Sequence, residues 1–292
     1  MASWANKISV VDTVPKRRVF IQRTGQGLVT VHQTGGIGNR IYQIWAGLAF
    51  AERTGREFVF VEQRMDHNSH TPAKATKDLV LALFPAVRVF RGRTAWRLMK
   101  EEEIDSDSGG SSGGNSSSDI VLEGFFQLAA GGGPRGSLVV PRPIMQRFNT
   151  DGIDFKRTYF VHFRFGDYVV TEYNVDLRAY YRAATAAVLA ADPTAAFLVF
   201  SDEPGKIVVA DVGLAGCDFK IAPVGIGIWE TLWQMSRCCG GICANSTFSS
   251  AVSWALPATA AVYMPTTWRL GSGYCLERPA WALAAAAAST ET

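Results

Sequence analysis

Residues 28–61 read LVTVHQTGGIGNRIYQIWAGLAFAERTGREFVFV. Residues 28–31 are a short β-rich run, and Gly35-Gly36-Ile37-Gly38-Asn39 is the glycine turn that follows it. Beyond the turn, Ile41, Ile44, Trp45, Leu48 and Ala49 recur at the spacing of one helix face until Gly55 stops the helix. Residues 58–61 are the next strand. Strand, glycine turn, helix and strand make one βαβ unit, and the rest of the chain repeats that alternation.

A helix around residues 78–83, a strand at 87–90 and a strand at 120–125 extend the first half. Between them, residues 105–119 are almost entirely Ser, Gly, Asn and Asp. Such a stretch buries too little apolar surface to offset its ordering entropy, so it reads as a flexible insertion in the first domain. Gly131 to Pro134 and Pro141-Arg142-Pro143 are further breaks. The second half opens on an apolar strand, Tyr159-Phe160-Val161-His162-Phe163-Arg164, running into Phe165-Gly166-Asp167. An Ala-rich helix over 177–191 and a buried-type strand at 197–200 follow. Then come a helix at 229–237, a short strand at 241–244, a helix at 248–255, a strand at 261–264 and a closing Ala-rich helix. Alternation of this kind predicts an α/β fold with parallel sheets covered by helices. We expect two Rossmann-like domains, residues 1–155 and 156–292, with ligands outside the carboxyl ends of the strands.

Bulk composition narrows the function. The 292 residues are 48% apolar and 19% charged, enough for substantial cores without a membrane. The net charge of +3 is too small and too scattered to argue for nucleic acid. Residues 1–20 hold charges and no apolar run, and the longest apolar tract, 280–288, is far below the ~20 residues of a membrane span, so a soluble cytoplasmic protein is expected. Five cysteines, all in the last third, suit a reducing compartment. Cys238, Cys239 and Cys243 lack the spacing of a metal clip and read as small apolar residues at a helix end and in the next strand. Asp66-His67-Asn68-Ser69-His70 offers two histidines without a clear third ligand, and reads as a loop rather than a metal site.

Polar residues gather at the carboxyl ends of the expected strands: the glycine turn, Arg164 to Asp167, Ser201-Asp202-Glu203, and Asn245-Ser246-Thr247-Phe248-Ser249-Ser250. The last offers hydroxyls and backbone N–H groups at a helix start, an arrangement suited to phosphate. Arg164 adds a forked, permanently charged donor. Four such segments in equivalent positions point to an anionic ligand between two domains. The bland alternative for Arg164 is an ion pair with Asp167, which itself reads as a loop brace. His162 is equally readable as structural or catalytic.

These segments resemble those of the alpha-1,2-fucosyltransferases, glycosyltransferase family eleven. Gly35-Gly36-Ile37-Gly38-Asn39-Arg40-Ile41-Tyr42-Gln43 resembles the family's GGLGNQMFQ opening, and Leu122-Glu123-Gly124-Phe125-Phe126-Gln127 its L-x-G-Y-F-Q segment. His162-Phe163-Arg164-Phe165-Gly166-Asp167-Tyr168 resembles H-x-R-R-G-D-Y. Tyr180-Tyr181 with the stretch from Phe197 to Asp202 resembles YY…FSDD. Leu232-Trp233-Gln234-Met235-Ser236-Arg237-Cys238 and Asn245-Ser246-Thr247-Phe248-Ser249 resemble the L-x-x-M-S-x-C…NSSFS ending. The matches run in family order over about residues 28–256.

The resemblance implies two facing Rossmann-like domains of the GT-B type, the first on the acceptor side and the second holding the donor. It implies inverting transfer of L-fucose from GDP-fucose to a glycan hydroxyl in alpha-1,2 linkage, without a metal or other cofactor. It puts Arg164 on the diphosphate, Asp202 and Glu230 near the nucleoside, and Ser249 and Ser250 by the phosphates. Asn39 would lie by the reacting centre from the opposite domain; Arg164, Asn39 and His162 are the candidate catalytic residues, and Gly36 and Gly38 join the candidate donor-binding residues. Two departures stand out: Phe165 replaces the family's second arginine, and Arg40 replaces its glutamine. Arg40 is then a candidate to supply the missing charge from across the cleft. Other readings are a transferase for another GDP-deoxyhexose such as GDP-rhamnose, and a non-catalytic binding module for a GDP-sugar or glycan. A nicotinamide dehydrogenase is disfavoured because GxGxxG is not completed: Ile41 stands at the last glycine position.

Overall fold

The computed structural model describes residues 19–20, 27–65, 73–104, 118–127, 138–143, 148–257 and 259–271. The loop at 66–70, the low-complexity residues 105–117, the break at 131–134, Cys275 and the expected closing helix lie outside them. The first sheet is assembled from β1 (Val19–Phe20), β2 (Leu28–Val31), β3 (Glu57–Phe60), β4 (Arg88–Phe90), β5 (Trp96–Lys100) and β6 (Asp119–Glu123). Helices α1 (Ile37–Thr54) and α2 (Ala73–Leu83) connect its strands. The second sheet follows with β7 (Thr158–Phe163), α3 (Arg178–Ala191), β8 (Ala196–Ser201), β9 (Asp218–Ile221), α4 (Ile228–Arg237), β10 (Gly240–Ile242), α5 (Thr247–Ser253) and β11 (Val262–Tyr263). Every strand pairing is parallel, so the chain is an α/β protein with two parallel sheets, as the alternation predicts.

Strand order shows where ligands belong. The sheets run β1-β4-β3-β2-β6-β5 and β11-β10-β7-β8-β9. In the first, the chain leaves β2 toward β3 on one side and later returns to β6 on the other. In the second, it leaves β7 toward β8 and returns to β10. Such reversals open a crevice at the carboxyl ends of the two adjoining strands. The crevice beside β2 and β6 receives the glycine turn and residues 124–127. The crevice beside β7 and β10 receives Arg164 and residues 245–250.

Local chemistry explains the elements. All four residues of β2 are buried, as a central parallel strand requires. Gly55 closes α1 in the left-handed conformation at φ 63°, and its N–H returns to the carbonyls of Ala51 and Glu52. Within the second sheet the side chains alternate. Phe160, Leu198 and Phe200 join α4, α5 and the first sheet in one hydrophobic cluster. Val161, Phe163, Phe197 and Val199 pack beneath Tyr181, Ala184 and Val188 of α3 on the other face.

Three strands escape the sequence reading: β1, β5 and β9. All three are edge strands. Residues of β5 and β9 see solvent, so WRLMK and DFKI carry charges where central strands carry Val and Phe. Asp119 is a correction at the other extreme. Grouped with the low-complexity insertion, it proves to be the first residue of β6 and 1% exposed. Its carboxylate accepts hydrogen bonds from the Leu28 N–H at 2.9 Å and from the Thr94 hydroxyl. The structural pairing outweighs the local polarity there.

The two sheets meet through α1 and α5. Gly38 is buried in the first turn of α1, and a Cβ there would lie 2.4 Å from the carbonyl carbon of Thr247. Replacing Gly38 with alanine therefore pushes the two halves apart. We expect Gly38→Ala to cost about 1–3 kcal/mol, the range for overpacking, read as an earlier midpoint in urea denaturation.

Candidate functional site

Asn39 joins the two crevices. Its side-chain oxygen accepts from the Thr247 hydroxyl at 2.8 Å and from the Gln127 amide at 3.1 Å. Thr247 belongs to the β10 crevice and Gln127 to the β6 crevice, so one carboxamide binds residues from both sheets. Beside it the Tyr42 and Ser250 hydroxyls share a hydrogen bond of 2.7 Å. The backbone bends sharply to bring Gln127 in: Phe126 sits at φ 54°, a left-handed conformation costly for a residue with a side chain.

Arg164 lies one residue past β7. Its Nη1 donates to Asp202 Oδ2 at 2.8 Å and its Nη2 to Asp167 Oδ1 at 2.6 Å. Its Cζ stands 5.5 Å from the centre of the Tyr168 ring. Both readings of Asp167 and Arg164 as partners are thus realised, and the arginine side chain still keeps 26% exposure. Tyr168 continues the chain of contacts: its hydroxyl hydrogen-bonds the Ser246 side chain, and burial raises its pKa. Ser246 also caps α5 by accepting from the Phe248 N–H.

His162 sits inside β7, with its ring 5.4 Å from that of Phe248. Burial, reinforced by the positive charge of Arg164, drives its pKa from 6.5 down to about 3. The imidazole is neutral near pH 7, and its Nδ1 is buried without a hydrogen-bond partner among the described residues. A group so hard to protonate is a poor general base.

The remaining sequence candidates divide into two sets. Gly36 is exposed at the start of α1, beside Asn39. Asp202, just beyond β8, turns its carboxylate onto the Arg164 loop, accepting from the Phe165 N–H at 3.0 Å. By contrast, Glu230, Ser249 and Ser250 are turned into the fold. Glu230 is 2% exposed and accepts from the Phe148 N–H at 2.7 Å. Ser249 is fully buried and accepts from the Ala244 N–H at 3.2 Å. Arg40 is 1% exposed, and its Nε donates to the Gly35 carbonyl at 3.0 Å. Phe165, at the position of the second motif arginine, stacks parallel to Phe163 with centroids 6.2 Å apart.

Gln127, Tyr168 and Thr247 lie within the quoted segments, yet their roles emerge only in three dimensions. Nothing in their local pattern separates them from neighbours on the same loops. Cys217, Cys238, Cys239 and Cys243 are free, and burial pushes Cys239 up to about 11 and Cys243 to about 12. Among the described residues no group of three His, Cys, Asp or Glu gathers to hold a metal ion, and no helix is long and apolar enough to cross a membrane.

No protein-family model and no curated protein matches the chain. Among solved structures it is similar to a crystal structure of POFUT1 in complex with GDP, at 11% identity and a TM-score of 0.45, over 80% of this chain and 96% of that one. It is also similar to a crystal structure of POFUT1 in complex with GDP-fucose, at 12% identity and a TM-score of 0.44, over 80% and 94% of the two chains.

The state of His162 sets a pH dependence. Its folded pKa lies below the unfolded value, so its contribution to stability is present above about 6.5 and is lost as pH falls toward about 3. Stability should decline across that window, and His162→Gln should flatten the decline, read by urea denaturation at pH 7 and pH 4.

Proposed function

We propose that this protein is an inverting glycosyltransferase that moves L-fucose from GDP-fucose to a hydroxyl of a glycan acceptor, in alpha-1,2 linkage. The observation that carries this reading is the convergence of the resembling segments. Four stretches far apart in sequence meet at the carboxyl ends of two adjoining parallel sheets, around Asn39, Gln127, Arg164 and Thr247. A nucleotide sugar suits a crevice of this kind, with its charged diphosphate beside a fixed guanidinium and its sugar toward the opposite sheet.

In this reading the second unit, residues 156–292, holds the donor and the first, residues 1–155, receives the acceptor. When the bond from the sugar to phosphate breaks, negative charge grows on the departing diphosphate oxygen. Arg164 stabilises that charge as it forms, without help from a metal ion. The acceptor hydroxyl attacks the opposite face of the sugar carbon, which inverts it. Asn39 orients the reacting oxygens, since an amide cannot take the proton, and His162 serves as a neutral, buried neighbour of Arg164 rather than the base. Gly36, exposed at the start of α1, and Gly38, packed on the Thr247 backbone, are donor-binding positions in this reading. Asp202 and Glu230 stand on the donor side, and Ser249 and Ser250 shape the same wall from within. The free, protonated thiols fit a cytoplasmic setting.

Phe165 favours a second reading, a module that binds a GDP-sugar or glycan without turning it over, because one guanidinium of the motif is missing. GDP-rhamnose as donor would fit the same groups. Donor screening by mass spectrometry with a library of sugar acceptors separates the three: fucosylated product, rhamnosylated product, or GDP binding with no product.

Arg164→Ala provides the mechanistic check. Loss of a charge-assisted bond worth about 1.5–3 kcal/mol should weaken GDP binding by about ten- to a hundredfold. Turnover should fall by about 10²–10³. Full activity in that variant would refute the assigned role.

A further inference from the structure

The guanidinium of Arg164 is already engaged by two carboxylates, and they are held in different ways. Asp202 follows directly from strand register: Phe163 of β7 pairs with Ser201 of β8, which sets Asp202 beside Arg164. Its Oδ2 accepts from Nη1 at 2.8 Å while its Oδ1 accepts from the Phe165 N–H at 3.0 Å. Gly166, at φ 23°, wraps so closely that a Cβ there would lie 2.5 Å from Asp202 Oδ2. The Asp202 side chain keeps 23% exposure. Withdrawing it would orphan both a guanidinium arm and a backbone N–H.

Asp167 differs on each count. It comes from the same turn as Arg164, three residues on, and meets it through Nη2 at 2.6 Å. Its side chain is 52% exposed. An ion pair that open to water adds little stability, and its carboxylate returns to solvent at small cost. Nη2 is therefore the arm that an incoming anion can take.

We propose that the two aspartates act in opposite senses toward a nucleoside diphosphate. Asp202 is a positioning residue that fixes Arg164 and its loop, and Asp167 is an exchangeable occupant of the guanidinium arm that a phosphate oxygen claims. The proposal rests on the reading of Arg164 as the diphosphate-binding group. It assigns Asp202 to Arg164 rather than to the nucleoside, and it makes Asp167 a built-in competitor. The pairing keeps Arg164 oriented and electrically balanced before the donor arrives. Once Asp167 swings away, the guanidinium already points at the diphosphate, so little reorganisation remains to be done on binding.

Calorimetric titration of the full chain with GDP and, separately, with inorganic pyrophosphate tests this. Asp167→Asn should bind both probes about two- to fivefold more tightly, the size expected of an exposed ion pair, and the gain should shrink as salt rises. Asp202→Asn should bind both probes about tenfold or more weakly, by similar factors, with its melting transition retained. If Asp167→Asn binds GDP equally or less well, the exchange is refuted. If Asp202→Asn loses affinity for GDP but not for pyrophosphate, Asp202 serves the nucleoside and the positioning role is refuted. Should Asp202→Asn fail to fold, the sign of the Asp167→Asn change decides alone, since that side chain lies at the surface. An unsubstituted protein that binds neither probe overturns the functional reading and this proposal together. One that binds GDP with Asp167→Asn unchanged overturns only the proposal.

Discussion

The side-chain oxygen of Asn39 is where the two halves of the molecule become one site. A carboxamide oxygen has two lone pairs, and here each is used: one for Thr247 of the second sheet, the other for Gln127 of the first. Gln127 stands on the loop after β6 and Thr247 opens α5 after β10, each following a strand at a topological reversal. Gly38, next along α1, lets the helix approach the Thr247 backbone at a distance no Cβ would tolerate. The Tyr42–Ser250 hydrogen bond and the shared hydrophobic cluster extend the same seam. Asn39, Gln127, Thr247 and Ser250 all meet at this junction, so the geometry between the two sheets depends on it.

On the second sheet the governing feature is charge balance. Arg164 is held by two carboxylates and lies against one aromatic ring, and the neighbouring histidine is kept neutral by burial and by the arginine itself. Positive charge is thus concentrated on a single forked group. The phenylalanine at the next position packs on Phe163 and joins the cluster under the sheet. Arg40 is buried beside the glycine turn, with its Nε on the Gly35 carbonyl.

Much of this was legible before any coordinates. Central strands announce themselves because burial on both faces demands near-continuous apolar runs, as in residues 28–31 and 197–200. The helix after the glycine turn is marked by its periodicity and by Gly55. Edge strands are hidden for the opposite reason: Asp218–Ile221 and Trp96–Lys100 need only a backbone partner, which no side-chain pattern reveals. Asp119 is the sharpest example, a carboxylate beside a serine-glycine tract that becomes a buried acceptor for the Leu28 N–H.

The amino-acid sequence by itself determined the α/β class, the central strands, and the segments that carry polar chemistry at strand ends, because hydrophobic period and glycine placement are local properties. Only the tertiary structure decided which of those polar groups remain available. Glu230, Ser249 and Ser250 turn inward to satisfy backbone and side-chain partners, whereas the Arg164 side chain keeps 26% exposure. Their local patterns do not distinguish them. The difference lies in which hydrogen-bonding groups from distant strands are brought within about 3 Å once two sheets pack against one another.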